Sequence, residues 1–242
     1  MNNLKGKTAL VTGSAKNLGR AIVIDLAKQG AKIAIHYQSS EKEAKDTLKE
    51  IQKYSKGIVI KANLTHPKDI SSIYQTIHNK LGNVDILINL VGNFIYEPIT
   101  TTSFEKFRDV IESNLYSTFL CSQEALPSMQ KKKWGRIINF GCVGAESITI
   151  REKTTPYYIA KTGVIMLTKV LAYEYAKYGI TINSISPGIL ETSIAKPPTP
   201  SGRFVQFTDI TNAINFLLKE ESSYINSSNI EVSGGWRVGF TP

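Results

Sequence analysis

Residues 8–37 of the chain, TALVTGSAKNLGRAIVIDLAKQGAKIAIHY, decide the fold. The first four residues are apolar or β-branched, as in a strand buried inside a parallel sheet. Gly13 and Gly19 then bracket a short loop, and residues 20–28 carry apolar side chains at helical spacing. A glycine ends this helix, and residues 32–37 predict a second strand. The order strand, glycine loop, helix and strand predicts a right-handed βαβ unit.

The glycine loop directs the N-terminus of this helix toward the space beyond the first strand. Unpaired backbone N–H groups and the positive end of the helix dipole favour a phosphate at that position. A glycine turn by itself is weak evidence, because many such turns are only structural. At the head of a βαβ unit, however, it favours dinucleotide binding.

A tyrosine and a lysine in the second half of the chain form the candidate catalytic pair. Tyr157 and Lys161 lie four residues apart in the helical stretch TTPYYIAKTGVIMLTKVLAYEYAK, so they share one face of the helix. A fixed cation beside a phenol favours the phenolate, which lowers the pKa of the tyrosine and makes it a usable proton donor. Most pairs with this spacing are surface accidents, so the pair gains its weight from the glycine loop upstream.

The rest of the chain continues the alternation of strands and helices. Strands are predicted near residues 7–12, 32–37, 57–61, 84–91, 136–141, 180–185 and 229–232, and the longest helices near 103–129 and 156–178. This alternation predicts a single-domain α/β Rossmann fold over residues 1–242, a doubly wound seven-stranded parallel sheet with helices on both faces. Ligands of such sheets bind beyond the carboxyl ends of the strands, where the strand order reverses.

Motifs spread over essentially the whole chain resemble those of the short-chain dehydrogenase/reductase family. In chain order they are Thr12-Gly13 through Gly19, Asn89-Leu90-Val91-Gly92, Asn114, Tyr157 with Lys161, Pro187-Gly188, and Glu231 to Trp236. The resemblance implies an oxidoreductase in which Tyr157 protonates the substrate and Lys161 binds the nicotinamide ribose. It also implies that Asn114 positions a water molecule in a proton relay from the lysine to solvent.

The same resemblance implies a nicotinamide site beside Pro187-Gly188, with the Ile189 backbone and Thr192 holding the carboxamide and the phosphates. The expected cofactor-binding residues are Gly13, Ser14, Lys16, Asn17, Leu18, Gly19, His36, Tyr37, Ser39, Ser40, Asn63, Leu64, Asn89, Val91, Gly92, Tyr157, Lys161, Pro187, Gly188, Ile189 and Thr192.

The end of the second strand bears on the choice of cofactor. Enzymes that prefer NAD place an acidic residue there to bind the ribose 2′-hydroxyl, and that residue would repel a 2′-phosphate. Here the segment is His36-Tyr37-Gln38-Ser39-Ser40, and the first acid, Glu41, follows in the next helix. Lys16 in the glycine loop and the two serine hydroxyls favour a phosphate. The sequence therefore predicts NADP(H) rather than NAD(H).

Three residues depart from the pattern of the family. Asn17 stands where the second loop glycine is expected, and Asn tolerates a positive φ better than most residues. Asn63 replaces an Asp that contacts the adenine, and its amide keeps an acceptor. Cys142 stands where the family has a serine that hydrogen-bonds the substrate carbonyl, and a thiol is a weak donor. Cys142 is therefore either a catalytic residue or a mark of lost activity, with Ser147 as the first alternative donor.

The sequence determines the substrate less well than the fold. Residues 189–204, the expected substrate-side loop, are short and rich in proline. The resemblance is strongest to β-ketoacyl-ACP reductases, which implies reduction of a 3-oxoacyl thioester. A pteridine-reductase-like or other small-carbonyl reductase is an alternative, favoured by Asn17 and the His36-Tyr37 segment. An NADP-binding protein with little or no turnover is a third interpretation, motivated by Cys142.

Charge gives a hint about partners. The formal net charge is +9 and the pI is near 9.4, which favours acidic partners. Lys131-Lys132-Lys133 and Arg136 stand where β-ketoacyl-ACP reductases present basic residues to acyl carrier protein, although a solvated turn explains them equally well. The other basic residues are dispersed, so nucleic acid is not expected.

Location and assembly follow from composition. The sequence has no signal peptide and no apolar run long enough to cross a bilayer, so we expect a cytoplasmic protein that does not enter the membrane. Two cysteines are too few for a disulfide framework, and the histidines lack ligand spacing, so no metal is expected. The two long helices carry more apolar residues than one face can bury, which predicts a helix-to-helix homodimer, and the resemblance implies that such dimers pair into a homotetramer.

Overall fold

The computed structural model describes residues 4–149 and 151–239. Its strands are β1 (Thr8–Val11), β2 (Lys32–Tyr37), β3 (Gly57–Lys61), β4 (Ile86–Asn89), β5 (Gly135–Phe140), β6 (Ile180–Pro187) and β7 (Asn229–Val232). Its α-helices are α1 (Asn17–Lys28), α2 (Glu41–Ile51), α3 (Pro67–Leu81), α4 (Phe104–Ile111), α5 (Ser117–Lys132), α6 (Thr155–Tyr175) and α7 (Phe207–Leu217). A π-helical turn spans Glu112–Tyr116, and short 3-10 turns span Ala176–Tyr178 and Glu220–Ser222.

The strands form one seven-stranded sheet in the order β3-β2-β1-β4-β5-β6-β7, with every pairing parallel. The predicted doubly wound parallel sheet is therefore confirmed. The strand order reverses beside β1, which pairs with β2 on one side and with β4 on the other. The loops that follow β1 and β4 leave the sheet in different directions at this point, so a crevice opens between them.

Helices cover both faces of the sheet because successive strand residues point to opposite sides. In β1, Ala9 and Val11 belong to the core under α1, α2 and α7, whereas Leu10 belongs to the core under α3 and α5. Both cores consist mainly of buried isoleucine, leucine, valine and alanine side chains. Burial of each large aliphatic side chain contributes about 1.5–3 kcal/mol to the stability of the fold, so the two cores hold the helices against both faces of the sheet.

Two elements differ from their sequence-based bounds in a way that bears on the site. β4 was expected over 84–91 but ends at Asn89, because the Thr12 hydroxyl accepts the N–H groups of Leu90 (2.8 Å) and Val91 (3.1 Å) in place of a strand neighbour. The single helix expected over 103–129 is instead α4, the π-helical turn and α5, which continues to Lys132. The π-helical turn contains Asn114.

His36 joins the first three strands beneath the glycine loop. Its Nδ1 accepts the backbone N–H of Gly13 at 3.0 Å, and its Nε2 lies 3.2 Å from the carbonyl oxygen of Ala62. These partners require a neutral ring with its proton on Nε2. The side chain is 2% exposed, and burial lowers its pKa from 6.5 to about 4. His36 therefore positions the glycine loop from below.

This bridge makes the stability of the protein depend on pH. The folded pKa of His36 lies below the unfolded value of 6.5, so its stabilising contribution is complete above pH 6.5 and is lost as the pH falls toward 4. We expect the free energy of unfolding to fall by roughly 3 kcal/mol from this group over that interval. Urea denaturation of the wild type and of His36→Gln at several pH values would measure it.

The matched control is His78→Gln, because His78 is exposed on α3. Acidic groups contribute to the pH dependence of all three proteins, so the difference between curves isolates the histidine. A difference between wild type and His36→Gln that stays constant from pH 7 to pH 4.5 would contradict a neutral buried His36.

Candidate active site

The carboxyl ends of β1, β4, β5 and β6 lie at one edge of the sheet, and the residues expected at the site follow these ends. Thr12 ties the loop after β1 to the segment after β4 through its hydroxyl. The backbone N–H of Gly141, after β5, donates to Ile185 in β6 at 2.9 Å. The parallel sheet thus brings together segments that are far apart in the sequence.

Tyr157 and Lys161 project from the first turns of α6 into this edge. The Lys161 ammonium donates to the carbonyl oxygen of Phe140 at 2.7 Å and lies 5.5 Å from the centre of the Tyr157 ring. The lysine is 4% exposed, and burial lowers its pKa from 10.5 to about 8. A buried ammonium group therefore lies next to the Tyr157 ring.

The pKa of Tyr157 moves in the direction opposite to the sequence-based expectation. Burial raises it well above its ordinary value of 10, and the nearby Cys142 and Tyr158 raise it further. The Lys161 ammonium, which donates to the carbonyl oxygen of Phe140, does not offset this rise. In this arrangement the phenol keeps its proton, as a proton donor must before the reaction.

Cys142 lies at the carboxyl end of β5, beside Tyr157 and Tyr158 in a small buried cluster. Burial raises the pKa of the thiol from 9.0 to about 11, although Lys161 and a hydrogen bond with Tyr158 oppose the shift. The thiol is therefore protonated, and it can offer only a weak hydrogen bond. The Tyr158 hydroxyl donates to the carbonyl oxygen of Val143 at 3.1 Å. Ser147 is exposed on the following turn.

Asn114 holds the π-helical turn against the segment after β4. Its side-chain amide donates to the carbonyl oxygens of Asn93 and Val110, each at 2.9 Å. Its Oδ1 atom is buried without a hydrogen-bond partner among the described residues. Gly92 makes this packing feasible, because a Cβ on Gly92 would overlap the Asn114 amide. The loop after β4 therefore packs closely against the π-helical turn, and Gly92 is the residue that permits this contact.

The glycine loop has the backbone that its sequence predicts. Gly13 adopts φ +66° and Asn17 adopts φ +50°, so Asn17 occupies the left-handed region that a glycine would otherwise fill. A Cβ on Gly19 would lie 2.7 Å from the Cα of Ser14, so this residue must be small. The side chain of Ser14 is buried, where its hydroxyl donates to Val11 at 2.7 Å. Leu18 is also buried, so only the loop backbone and the exposed Lys16 and Asn17 side chains face outward.

The adenosine side is formed by the ends of β2 and β3. Tyr37 is buried, whereas Gln38 and Ser39 are exposed and Ser40 is half-buried at the start of α2. The Oδ1 atom of Asn63 accepts from the backbone N–H and the hydroxyl of Thr65. Leu64 is 4% exposed. Exposed hydroxyl groups therefore stand where an acid would select NAD.

The nicotinamide side lies beyond β6. The Gly188 N–H donates to Val232 at 2.9 Å, and a Cβ on Gly188 would lie 2.8 Å from the Cα of Ser233. Ile189 is buried and Thr192 is exposed. The segment 189–204 contains no helix; the Arg203 guanidinium pairs with Asp209 at 2.6 Å and 3.0 Å where the segment meets α7.

Two residues at the site were not anticipated from the sequence. Phe94 packs edge-on against Tyr157, with ring centres 5.0 Å apart and an interplanar angle of 84°. Arg151, in the loop between β5 and α6, lies with its guanidinium carbon 5.8 Å from the centre of the Trp236 ring and with its charge beside Tyr158. Nothing in the sequence near Phe94 or Arg151 signals these contacts, because both partners come from distant segments.

The basic cluster near residue 133 lies at the opposite edge of the sheet, before β5 begins. Arg136 is 2% exposed, and its guanidinium stacks 4.5 Å from the Trp134 ring centre and 3.3 Å from Glu220. Lys132 pairs with the buried Asp85 at 2.6 Å. Only Lys131 and Lys133 of this cluster are exposed without such ties.

Within residues 4–149 and 151–239, no helix is long and apolar enough to cross a bilayer, and no group of three metal-ligating side chains occurs.

Comparison with known proteins agrees with this geometry. Residues 13–237 match the family model described as "Enoyl-(Acyl carrier protein) reductase". The 3-oxoacyl-[acyl-carrier-protein] reductases of Vibrio cholerae and Escherichia coli K12 are each 35% identical over 244 residues, covering 96% of this chain and 98% of the relative. A solved structure described as a "putative gluconate dehydrogenase" from Agrobacterium tumefaciens matches with a TM-score of 0.89 and 31% identity, over 96% of both chains.

The chain therefore belongs to the short-chain dehydrogenase/reductase family. It is an oxidoreductase that acts on CH–OH or C=O groups, and it resembles the 3-oxoacyl-[acyl-carrier-protein] reductases along nearly its whole length.

The contact between Gly92 and Asn114 gives a test of the site architecture. Gly92→Ala forces the new methyl group into the Asn114 amide, so we expect a loss of about 1–3 kcal/mol in the free energy of unfolding. In an Asn114→Ala background the obstacle is removed, and Gly92→Ala should then cost little. Chemical denaturation of the four proteins of this double-mutant cycle measures the coupling. Equal costs of Gly92→Ala in both backgrounds would show that the contact does not constrain the loop.

Proposed function

We propose that the protein is an NADPH-dependent carbonyl reductase whose substrate is a 3-oxoacyl thioester. The observation that carries this proposal is a protonated, half-buried Tyr157 with the Lys161 ammonium 5.5 Å from its ring centre, beyond the strand ends. It is supported by 35% identity to 3-oxoacyl-[acyl-carrier-protein] reductases.

The residues at the crevice suit a dinucleotide with a 2′-phosphate. α1 begins with no side-chain cap and no acidic residue in its first turn, so its free N–H groups are available to a pyrophosphate. Lys16 at the N-cap and Ser39 beyond β2 are exposed, and they can hold a 2′-phosphate by charge-assisted hydrogen bonds. NADPH, when bound, supplies a hydride to the carbonyl carbon.

The chain's own residues then supply the proton. Tyr157 transfers its phenolic proton to the carbonyl oxygen, so the C=O group becomes CH–OH. The Lys161 ammonium, 5.5 Å from the ring centre, stabilises the phenolate that remains. The Asn114 carbonyl oxygen accepts from Thr118 at 2.7 Å and retains a lone pair for the water that returns a proton toward Lys161.

Two other functions remain as alternatives. A pteridine-reductase-like or other small-carbonyl reductase is favoured by Asn17, whose side chain is exposed in the glycine loop. An NADP-binding protein with little turnover is favoured by Cys142, because a protonated thiol is a weak donor to a substrate carbonyl.

Acyl carrier protein is the partner that a carrier-tethered substrate implies. Lys131 and Lys133 remain available to an acidic carrier, whereas Lys132 pairs with Asp85 and Arg136 pairs with Glu220.

A homodimer or homotetramer also remains our proposal, because the π-helical turn, α5 and α6 expose several apolar side chains. They are Tyr116, Phe119, Ile159, Met166, Val170 and Tyr173. The cytoplasmic location stays a prediction.

Turnover by the purified protein separates the three functions. NADPH oxidation would be followed with acetoacetyl-CoA, acetoacetyl-acyl carrier protein, a dihydropterin and a small diketone. We expect the acetoacetyl thioesters to give the highest kcat/KM. Tyr157→Phe should lower turnover at least about 100-fold while NADPH binding is nearly unchanged, because only the proton donor is lost.

The matched control is Tyr224→Phe, which removes the hydroxyl of a fully exposed tyrosine far along the chain from α6. A dihydropterin as the best substrate would instead support the pteridine-reductase-like function. Tight NADPH binding with no turnover of any substrate would support the third function, and full activity in Tyr157→Phe would refute the reductase itself.

Cofactor preference has its own test in the glycine loop. Lys16→Ala should weaken NADPH binding by roughly ten- to hundredfold, because a charge-assisted phosphate contact is lost, and NADH binding should hardly change. Lys28→Ala is the matched control, since Lys28 is exposed at the other end of α1. Fluorescence titration with both cofactors gives the two dissociation constants. Equal weakening of both cofactors would mean that Lys16 has a structural role and that NADP(H) loses its main support.

A further inference from the structure

The reacting carbonyl lacks the strong donor that this reaction needs. As the hydride arrives, negative charge develops on the carbonyl oxygen, and a preorganised donor stabilises it. Cys142, at the end of β5, carries a protonated thiol, which donates weakly. The Tyr158 hydroxyl is not free to serve, because its proton is donated to the carbonyl oxygen of Val143 at 3.1 Å. Ser147 is exposed on the turn beyond.

A guanidinium group stands next to these residues. Arg151 lies in the loop that joins β5 to α6, six residues before Tyr157. The loop is fixed directly after it, because the Thr154 hydroxyl donates to the carbonyl oxygen of Arg151 at 3.2 Å and the Glu97 N–H donates to the carbonyl oxygen of Lys153 at 2.8 Å.

The Arg151 side chain is held from two directions. Its guanidinium carbon lies 5.8 Å from the centre of the Trp236 ring, within cation–π range. It also lies beside the Tyr158 hydroxyl, which in turn contacts the Cys142 thiol. The Tyr157 ring packs against the Tyr158 ring, with ring centres 6.3 Å apart. The charge of the guanidinium therefore lies near both the proton donor and the thiol.

Within the described ranges 4–149 and 151–239, no carboxylate lies within ion-pair distance of Arg151, so none of these residues neutralises the guanidinium. Glu231 is near Cys142, but its Oε1 accepts the N–H of Gly144 at 3.2 Å. Burial raises the pKa of Tyr157, Tyr158 and Cys142, and the positive charge of Arg151 opposes each of these rises. The guanidinium therefore acts on all three groups around the reacting position.

We propose that Arg151 is a catalytic residue that donates a hydrogen bond to the reacting carbonyl oxygen, taking the role that a serine at position 142 would have. A guanidinium has five N–H donors, so it can bond the substrate oxygen while it keeps its contact with Tyr158. Its charge stabilises the oxyanion character of the transition state more than the neutral carbonyl of the ground state. The proton still comes from Tyr157, and Arg151 neither gains nor loses one.

This inference rests on the proposed carbonyl reduction but not on the identity of the acyl chain. It explains how a chain with Cys142 in this place can sustain turnover. It also predicts that a serine hydroxyl at position 142 and the Arg151 guanidinium can each supply the donor. A serine at position 142 should therefore raise turnover most when Arg151 is absent.

The experiment measures kcat, KM and NADPH binding for Arg151→Gln, Arg151→Lys, Cys142→Ser and the double variant Arg151→Gln/Cys142→Ser. Arg151→Gln should lower kcat about 100-fold with little change in KM, as expected for a lost transition-state donor. Arg151→Lys, which keeps the charge without the planar fork, should retain an intermediate rate. Cys142→Ser should raise kcat only a few-fold in the wild type but about tenfold or more in Arg151→Gln.

Lys153→Gln is the matched control, because this cation belongs to the same loop and faces Tyr96 at 5.7 Å from its ring centre. It should leave kcat unchanged. Thermal unfolding of each variant shows whether the fold is kept. If Arg151→Gln does not fold, Arg151→Lys with and without Cys142→Ser decides, and a larger gain from serine in the lysine background than in the wild type supports the proposal.

Four outcomes overturn it: a kcat of Arg151→Gln close to that of the wild type, a loss confined to KM, a serine gain that is the same in both backgrounds, or a loss equalled by Lys153→Gln. A loss confined to KM with anionic substrates would assign Arg151 to substrate binding instead. Turnover of the diketone without turnover of thioesters would refute the substrate assignment alone, and the diketone would then test Arg151. No turnover of any carbonyl by the wild type would overturn both proposals.

Discussion

The reversal of strand order beside β1 is the constraint on which the rest of the site depends. β1 pairs with β2 on one side and with β4 on the other, so the chain leaves the sheet in opposite directions after β1 and β4. Thr12 bridges the two loops at this point through one hydroxyl. The residues proposed for cofactor binding and catalysis lie beyond the same ends of the strands because all seven strands are parallel.

Close backbone approach is the second requirement of this edge. Gly19 lets α1 begin against the loop after β1, and Gly92 leaves room for the Asn114 amide. Asn114 then anchors the π-helical turn between α4 and α5. A π-helical turn inserted in a helix commonly marks a functional position, and here it packs against α6. Small residues at these places thus set the positions of larger ones.

The electrostatics of the site favour a negatively charged transition state. Lys161 is a buried cation behind Tyr157, and Arg151 is a second cation beside Tyr158. Burial keeps protons on Tyr157 and Cys142 despite these charges, because removing an ionised phenol or thiol from water costs more than the cations return. In the proposed reaction the site holds its proton until the substrate oxygen develops charge. With Arg151 as the proposed donor, this arrangement also accommodates a cysteine at position 142.

The sequence by itself determined the βαβ start, the parallel sheet, the left-handed Asn17 and the placement of Tyr157 and Lys161 on one helical face. These features follow from periodicity, glycine positions and helical spacing, which are local properties of the chain. The tertiary structure alone decided that His36 and Arg136 are buried and that the pKa of Tyr157 rises. It alone placed Phe94 on Tyr157 and Arg151 on Trp236. Burial and pairing depend on segments distant in sequence, and a pKa follows the sum of those surroundings rather than the nearest charged neighbour.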